Sequence, residues 1–240
     1  LSANDTGSPE DEFQVPEDVE VLPKKSGRVD FSDTDVSNGK PGVERQNGGI
    51  PLDYMTLRQS AESLGIRVED GKLKVRGGNS LCSKYQVAYL ARRQQQFNYD
   101  FTAKMEFAPR NYAETAGVAC YYNYDNYYYC FLSRDDEGEE CISVVSSENK
   151  EVRNSRAAVV NAEGKPVYLK AMVRERELQF YYSLDGENYE PVGDVLDMRV
   201  LSDERVDWNG FTGAMVGVTC QDLGGVGCQA EFEWIDYQEK

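Results

Sequence analysis

Histidine is absent from the 240-residue sequence. This absence excludes a Ser-His-Asp triad, a Cys-His nucleophile and any metal centre that depends on imidazole ligands. None of the six cysteines forms a CxxC pair, so a zinc site would need four thiolates at unusual spacing. Any catalysis by this chain would therefore rely on carboxylates, lysine, tyrosine or cysteine.

Long apolar runs are also lacking. No stretch approaches the roughly 20 apolar residues that a membrane-spanning helix needs, which predicts a soluble chain with no membrane partner. The N-terminal sequence LSANDTGSPEDEF shows neither the basic nor the apolar region of a signal peptide. Most cysteines lie in apolar strand patterns, which favours reduced structural thiols in a cytoplasmic protein. If the protein were exported, Cys220 and Cys228 could instead pair across the Gly-rich turn between them.

Basic residues are scarce, with 26 lysines and arginines against 42 acidic residues and a net charge of -16. Nucleic-acid binding depends on clustered cations that displace counterions from phosphates, so no nucleic-acid partner is expected. The one basic cluster, Arg92 and Arg93, is too short to change this expectation. One of these arginines would point inward from a strand, where it would need a carboxylate or a ring of carbonyls.

Apolar and polar residues alternate with a period of two from residue 71 onward, which is typical of half-buried antiparallel strands. Gly, Asn and Asp turn signals separate these runs about every ten residues, and residues 181–189 read as a hairpin. No long helical pattern competes, so the sequence predicts an all-β sandwich. The clearest alternating runs are 72–76, 101–107, 167–173, 178–182 and 231–234, with Phe232 and Trp234 on one face.

The N-terminal part carries weaker signals. Residues 1–28 are polar, acidic and proline-containing, which predicts a linker or interdomain extension before a sandwich at 29–240. A first strand is expected at 29–33, a loop at 34–50, a turn or strand at 51–58 and a second strand at 61–68. Further on, Gly213 and Gly217 indicate positions of close backbone approach or positive φ.

Five motifs stand in one order: VRGGNSL at 75–81, LARRQQQFNYDFTAKMEF at 90–107, AGVACYYNYDNYYYCFLSRDDEG at 116–138, LQFYYSLDGENYEPVG at 178–193 and NGFTGAMVGVTCQD at 209–222. Together they resemble the concanavalin A-like C-terminal domain of family 43 glycoside hydrolases, the β-xylosidase group. The resemblance covers about residues 29–240. It implies a concanavalin A-like jelly-roll sandwich of two antiparallel sheets.

In that family a five-bladed β-propeller precedes the sandwich and carries three catalytic acids, and 28 residues are too few to build it. The resemblance therefore implies a non-catalytic accessory domain of a β-xylosidase- or arabinofuranosidase-type enzyme, or a relative that has lost or never had the propeller. In either case it implies no catalytic residue and no required cofactor on this chain. The implied partners are a β-propeller glycosidase domain or chain and a xylo-oligosaccharide or other pentose-containing glycan.

The resemblance also implies that loop 202–212 reaches toward the sugar pocket of the propeller. Its candidate pocket residues are Trp208, Asn209 and Phe211. An aromatic side chain there would cover the C–H face of a sugar and exclude water from the reaction. Alternatively, Phe211 is the first inward residue of a core strand and Trp208 is a buried structural residue.

The tyrosine-rich stretch 121–129 crosses a predicted hairpin, so about half of its rings should face the core and half the surface. Cross-strand pairing is one explanation for these tyrosines. A surface platform for stacking sugars is the other, and it supports an alternative function as a free-standing lectin-like carbohydrate-binding module.

Acidic residues offer two further hypotheses. Glu231, Glu233 and Asp236 form the one compact acidic cluster with a hydrolase-like look, although Asp236 would share the face of Glu231 and Glu233 only across a bulge. Solvated outer-face carboxylates are the alternative. The second hypothesis is a structural Ca²⁺ between the first and last strands, with Asp30 and Glu233 as candidate ligands and loop carbonyls at 36–48. Unliganded surface carboxylates are the favoured alternative.

Overall fold

The computed structural model describes residues 26–32, 49–162, 164–206 and 212–240. These residues form fifteen strands and a single 3-10 helix, Met198–Leu201, and none of their helices is long and apolar enough to cross a membrane. In chain order, the strands are β1 Gly27–Asp30, β2 Tyr54–Thr56, β3 Ile66–Glu69, β4 Lys72–Arg76, β5 Tyr89–Arg93, β6 Asn98–Glu106, β7 Glu114–Asn123, β8 Asn126–Arg134, β9 Glu140–Glu148, β10 Glu151–Val159, β11 Val167–Arg174, β12 Glu177–Ser183, β13 Glu190–Asp197, β14 Met215–Asp222 and β15 Gln229–Glu239.

Two antiparallel sheets make up the sandwich, which confirms the predicted fold class. The eight-stranded sheet has the order β13-β12-β11-β6-β15-β4-β3, with β1 paired to β15. The seven-stranded sheet has the order β10-β9-β8-β7-β14-β5-β2. The main core lies between the sheets, because every second residue of a strand points inward. In β11, Val167, Leu169, Ala171 and Val173 are all fully buried in this core, as their alternation predicts.

Element boundaries differ from the predictions mainly before β4. The first strand ends at Asp30. The strand predicted at 61–68 corresponds to β3, which begins at Ile66 because residues 61–65 form a turn. The predicted hairpin at 181–189 is confirmed, since Tyr182 of β12 pairs with Glu190 of β13. The linker at 1–25 and most of the loop at 34–50 lie outside the described residues, so the proposed domain division stays a prediction.

A β-bulge interrupts β15 between Phe232 and Trp234. The extra residue shifts the alternation, so that Phe232 and Ile235 enter the main core while Trp234 does not. Trp234 packs instead beneath the guanidinium of Arg28, 3.9 Å from the ring centroid, and near Tyr168. The prediction that Phe232 and Trp234 share a face is therefore wrong.

Tyrosines of the stretch 121–129 divide between the two faces of the seven-stranded sheet. Tyr122 and Tyr128 belong to the main core, whereas Tyr121, Tyr127 and Tyr129 belong to a separate apolar cluster that also contains Leu81 and Val87. The predicted alternation of faces is confirmed. The prediction that half of the rings face solvent is wrong for Tyr121, Tyr127 and Tyr129. These three rings are buried in a cluster with Leu81 and Val87, which come from another segment of the chain.

Gly217 shows why glycine is required at the centre of the seven-stranded sheet. Its strand, β14, lies between β5 and β7, and a Cβ at Gly217 would sit 2.1 Å from the carbonyl oxygen of Leu90. Gly213 has a φ of +71°, a conformation that side chains rarely adopt. The sequence-based expectations for both glycines are therefore confirmed.

Cysteines occupy two kinds of environment. Cys120, Cys130, Cys141 and Cys220 are buried, as their apolar strand positions predict, whereas Cys82 is exposed and Cys228 half-buried. Burial raises the pKa of the Cys120 thiol to about 12. Cys228 Sγ lies 3.7 Å from Cys220 Sγ, and this neighbouring thiol lowers the pKa of Cys228. The cytoplasmic location that would keep these thiols reduced stays a prediction.

We expect alkylation at pH 8 to distinguish these environments. A thiol whose pKa is raised to about 12 holds on the order of a thousandfold less thiolate than an ordinary cysteine, and only the thiolate reacts. Iodoacetamide should therefore label Cys82 and Cys228 and leave Cys120 unlabelled, as read by peptide mass spectrometry. Denatured protein serves as the control and should label at all three sites. Labelling of Cys120 at the rate of Cys82 in the folded protein would contradict its placement.

Candidate functional site

A groove with a volume of about 820 Å³ lies where β5 and β7 end and β6 and β14 begin. We call it the edge groove. Phe97 on its wall is 73% exposed. The groove is lined by segments 94–98 and 201–204 together with Tyr122, Met198 and Ala214.

Tyr122 at the end of β7 holds both described ends of loop 202–212. Its hydroxyl contacts the carboxylate of Asp203, and the Thr212 amide donates a hydrogen bond to the same hydroxyl at 3.4 Å. The Thr212 hydroxyl donates to the Tyr122 carbonyl at 3.1 Å. Burial, with the Asp203 carboxylate adding to it, raises the pKa of Tyr122, so the side chain remains a neutral hydrogen-bond donor. One residue thus fixes where the loop leaves the sandwich and where it returns.

The segment that leads into the loop is fastened to β8. Tyr128 Oη donates to the Asp197 carbonyl at 2.8 Å, and Asn126 Nδ2 donates to the Val200 carbonyl at 3.1 Å. Asp197 in turn caps the 3-10 helix by accepting a hydrogen bond from the amide of Arg199. The loop therefore starts from a rigid base.

Further contacts hold the exposed flanks of loop 202–212. Arg205 forms an ion pair with Glu148 at 2.6 Å, and Asn149 Nδ2 donates to the Arg205 carbonyl. On the other flank, Arg93 Nη1 donates to the Gly213 carbonyl at 3.2 Å. The loop is thus attached to β5, β7 and β9, all in the seven-stranded sheet.

The predicted pocket residues Trp208, Asn209 and Phe211 lie outside the described residues, and their roles stay predictions. The described part of the loop stands at the rim of the edge groove, with Asp203 and Glu204 exposed. Sequence reasoning missed Tyr122 and Asn126 as anchors. The tyrosine-rich stretch is the one sequence signal near these anchors, but its pattern predicts strand pairing or sugar stacking rather than contacts to a distant loop.

Acidic side chains in the described part of the edge groove do not form a buried catalytic pair. Glu175, Asp203 and Glu204 are exposed, whereas catalytic acids need a site that excludes water. Asp203 is also engaged by Tyr122. The described arrangement presents a loop beside an open groove.

The acidic cluster on β15 forms separate ion pairs. The bulge places Asp236 on the same outer face as Glu231 and Glu233. The sequence predicts that these three carboxylates share a face only if such a bulge is present. Each carboxylate then meets a different cation: Glu231 lies 3.3 Å from Lys72, Glu233 2.5 Å from Lys104 and Asp236 3.9 Å from Arg28. These contacts support the interpretation as outer-face ion pairs rather than a catalytic pair.

The expected calcium ligands have partners within the protein. Asp30 accepts hydrogen bonds from the amide and hydroxyl of Ser32, at 2.9 and 2.6 Å, and Glu233 is paired with Lys104. Among the described residues, no group of three or more acidic, cysteine or histidine side chains is placed to hold a metal. The loop at 36–48 lies outside these residues, so the calcium site stays a prediction.

Arg92 is the inward-pointing arginine, with only 5% of its surface exposed. Its guanidinium lies 4.0 Å from the ring centroid of Tyr237, and Nη2 donates to Gln95 Oε1 at 2.9 Å. Among the described residues, one amide carbonyl, that of Gln95, takes the place of the predicted carboxylate or ring of carbonyls. An aromatic face stabilises the buried cation, which suits the weakly hydrated, planar guanidinium.

Comparison with known proteins assigns the family. The sequence model of one protein family, the β-xylosidase C-terminal concanavalin A-like domain, matches residues 46–238. Xylosidase/arabinosidase 43B from Humicola insolens is 35% identical over 200 residues, covering 79% of this chain and 37% of the relative. The β-xylosidase of Bacillus subtilis (strain 168) is 29% identical over 202 residues, covering 82% of this chain and 38% of the relative.

A solved structure gives the same result. The crystal structure of xylan β-1,4-xylosidase from Bacillus halodurans C-125 superposes with a TM-score of 0.81 at 26% identity, covering 99% of this chain and 46% of that protein. The chain thus spans less than half the length of each of these three relatives. On this sequence match and this shared fold, the chain belongs to the family of concanavalin A-like C-terminal domains of family 43 β-xylosidases.

Proposed function

We propose that this chain is a non-catalytic accessory sandwich of a xylan-degrading glycoside hydrolase. In this proposal, loop 202–212 and the edge groove complete the sugar pocket of a β-propeller catalytic domain. The two relatives from Humicola insolens and Bacillus subtilis are a xylosidase/arabinosidase and a β-xylosidase, and each is more than twice as long as the segment it shares with this chain. The proposed substrate is a xylo-oligosaccharide or another pentose-containing glycan.

The attachment of both loop ends to Tyr122 is the observation that carries the proposal. A loop that must present side chains to a reacting sugar needs a defined position, and fixed ends provide one. The exposed ring of Phe97 beside the loop adds an apolar surface suited to a docked domain. Both features lie on the same edge of the sandwich.

A hybrid enzyme tests this proposal. This chain would replace the matching part of the Humicola insolens relative, and hydrolysis of p-nitrophenyl xyloside would be measured. We expect Tyr122→Phe to lower kcat/KM about tenfold, because a hydrogen bond to a charged group contributes roughly 1.5–3 kcal/mol and here it positions the loop. The substitution keeps the buried ring, and the lost hydrogen bond lowers the melting temperature by roughly 3–12 °C at this chain length, so kcat/KM is compared well below the unfolding transition.

Tyr182→Phe is the matched control, because Tyr182 Oη also donates to a carboxylate, that of Glu190, at 2.9 Å in the β12–β13 hairpin. It should leave kcat/KM unchanged. Equal activity of the Tyr122→Phe and unmodified hybrids would show that the anchored loop does not serve the pocket. An equal loss in both variants would point to a general effect on folding.

A further inference from the structure

A second groove lies on the outer face of the seven-stranded sheet, and we call it the outer groove. Its volume is about 640 Å³, within the range typical of small-molecule sites. Thr115 near the start of β7 and Gln221 near the end of β14 line it, whereas Tyr122 and Ala214 line the edge groove. Thr115 and Tyr122 lie seven residues, about 23 Å, apart on one strand. Tyr122 belongs to the main core on the inner face of the sheet, whereas Tyr127 and Tyr129 of the outer groove belong to the cluster on the other face.

The floor of the outer groove is aromatic. Tyr127, Tyr129 and Phe131 occupy alternate positions of β8 and point to the same face. The rings of Tyr129 and Phe131 stack with centroids 4.7 Å apart, and Tyr129 Oη donates to Thr115 Oγ1 at 3.1 Å. These contacts hold the floor rigid.

The walls carry large apolar side chains that remain in solvent. Tyr112 is 69% exposed, and Val152 and Leu223 are each more than half exposed. The backbone beneath Tyr112 is fixed, because Ser133 Oγ donates to its carbonyl at 3.3 Å. Exposed apolar side chains grouped around one groove indicate a binding site more strongly than the same side chains scattered singly over the surface. Tyr112 offers the open ring face on which a sugar can stack.

Polar groups around the floor suit a ligand that is rich in hydroxyls. Ser143, Asn154 and Gln221 line the groove and can both donate and accept hydrogen bonds. Asp135 and Asp136 make the rim negative. The lining cation, Arg134, donates from Nε to the Pro109 carbonyl at 2.6 Å and pairs with Glu140. The negative rim disfavours phosphates, uronates and nucleic acids.

From this combination we infer that the outer groove binds a linear, uncharged oligosaccharide, with one ring stacked on Tyr112 and hydroxyls of different sugar units bonded to Asn154 of β10 and Gln221 of β14, which are four strand spacings, about 19 Å, apart. The site would hold a polysaccharide chain on the face of the sandwich. The choice of xylose units as the first probe rests on the proposed function, whereas the choice of a neutral sugar rests on the groove itself.

Titration of the whole chain with xylohexaose and cellohexaose tests the inference, by calorimetry and by amide chemical-shift mapping. We expect one or both sugars to bind, with the largest shifts on β8, β9 and residues near Tyr112. Tyr112→Ala should weaken binding about tenfold, because it removes the stacking face. Asn154→Ala, an exposed hydrogen-bonding position, should weaken it to a smaller extent. Tyr85→Ala is the control, since Tyr85 is 65% exposed and lines neither groove.

Three results would overturn the inference. The first is no binding of either sugar at millimolar concentration, and the second is an equal loss in Tyr85→Ala and Tyr112→Ala. The third is a set of sugar-induced shifts that maps to the edge groove. A lysine-rich peptide is titrated as a further probe of the negative rim, and shifts in the outer groove with this peptide but with neither sugar would also overturn the inference. Tyr112→Ala in the hybrid enzyme should leave hydrolysis of the small xyloside unchanged. The two proposals can therefore fail independently.

Discussion

Gly217→Ala is expected to destabilise the sandwich by about 4 kcal/mol or more, the range that marks severe overpacking. The added Cβ would lie 2.1 Å from the carbonyl oxygen of Leu90 and 2.5 Å from Cα of Ala91. Both atoms belong to the backbone of β5, so no flexible side chain can move aside. Relief would require separating β14 from β5, which removes backbone hydrogen bonds from the middle of the seven-stranded sheet.

Gly27→Ala is the matched control, because Gly27 also lies in a strand and its Cβ would meet nothing within 4 Å. Urea unfolding of the two variants and the unmodified chain would measure the difference. At this chain length the loss in Gly217→Ala corresponds to a fall in melting temperature of roughly 8–16 °C. A change below about 1 kcal/mol, the ordinary effect of a point mutation, would contradict the close strand packing at Gly217.

The fold was predictable because its strongest signals are local. Alternation in β11 specifies one buried face, and a glycine amid larger residues in β14 indicates close backbone approach. The bulge that turns Trp234 away from the core was not predictable, because one extra residue in β15 leaves no pattern of its own. Alternation alone placed Trp234 beside Phe232.

The anchors of the candidate site were hidden because they are distant in sequence. Tyr122 is separated from Asp203 by 81 positions and from Thr212 by 90. The alternation of residues along β7 does not indicate that the hydroxyl of one of its tyrosines bonds to a distant loop. Burial of Tyr127 and Tyr129 on the outer face depends on the segment that contains Leu81, and on how that segment folds back. Strand periodicity predicts which face a ring occupies, but not what covers that face.

The second large effect concerns activity. If the catalytic acids belong to a propeller domain and the sandwich completes the pocket, neither part alone should hydrolyse xylosides efficiently. Loss of a positioned loop and of the water-excluding wall it provides can cost about 100-fold in rate. We therefore expect the catalytic part of the Humicola insolens relative, without its matching domain, to be about 100-fold less active than the hybrid.

The isolated chain provides the complementary expectation. It contains no histidine, and the described acids of the edge groove are exposed, while those of the β15 cluster are paired with cations. General acid–base hydrolysis needs two carboxyls in a tuned, shielded pair across the glycosidic bond. The chain by itself should thus give no turnover at any pH at which it remains folded.

The central claim, that this sandwich shapes a sugar pocket whose chemistry resides elsewhere, is tested most directly by one reconstitution assay. Hydrolysis of p-nitrophenyl xyloside would be measured for this chain alone, for the catalytic part of the relative alone and for the two joined as a hybrid. The account predicts no activity from the first, weak activity from the second and about 100-fold more from the third. Turnover by the isolated chain, or a catalytic part that is equally active with and without the sandwich, would contradict it.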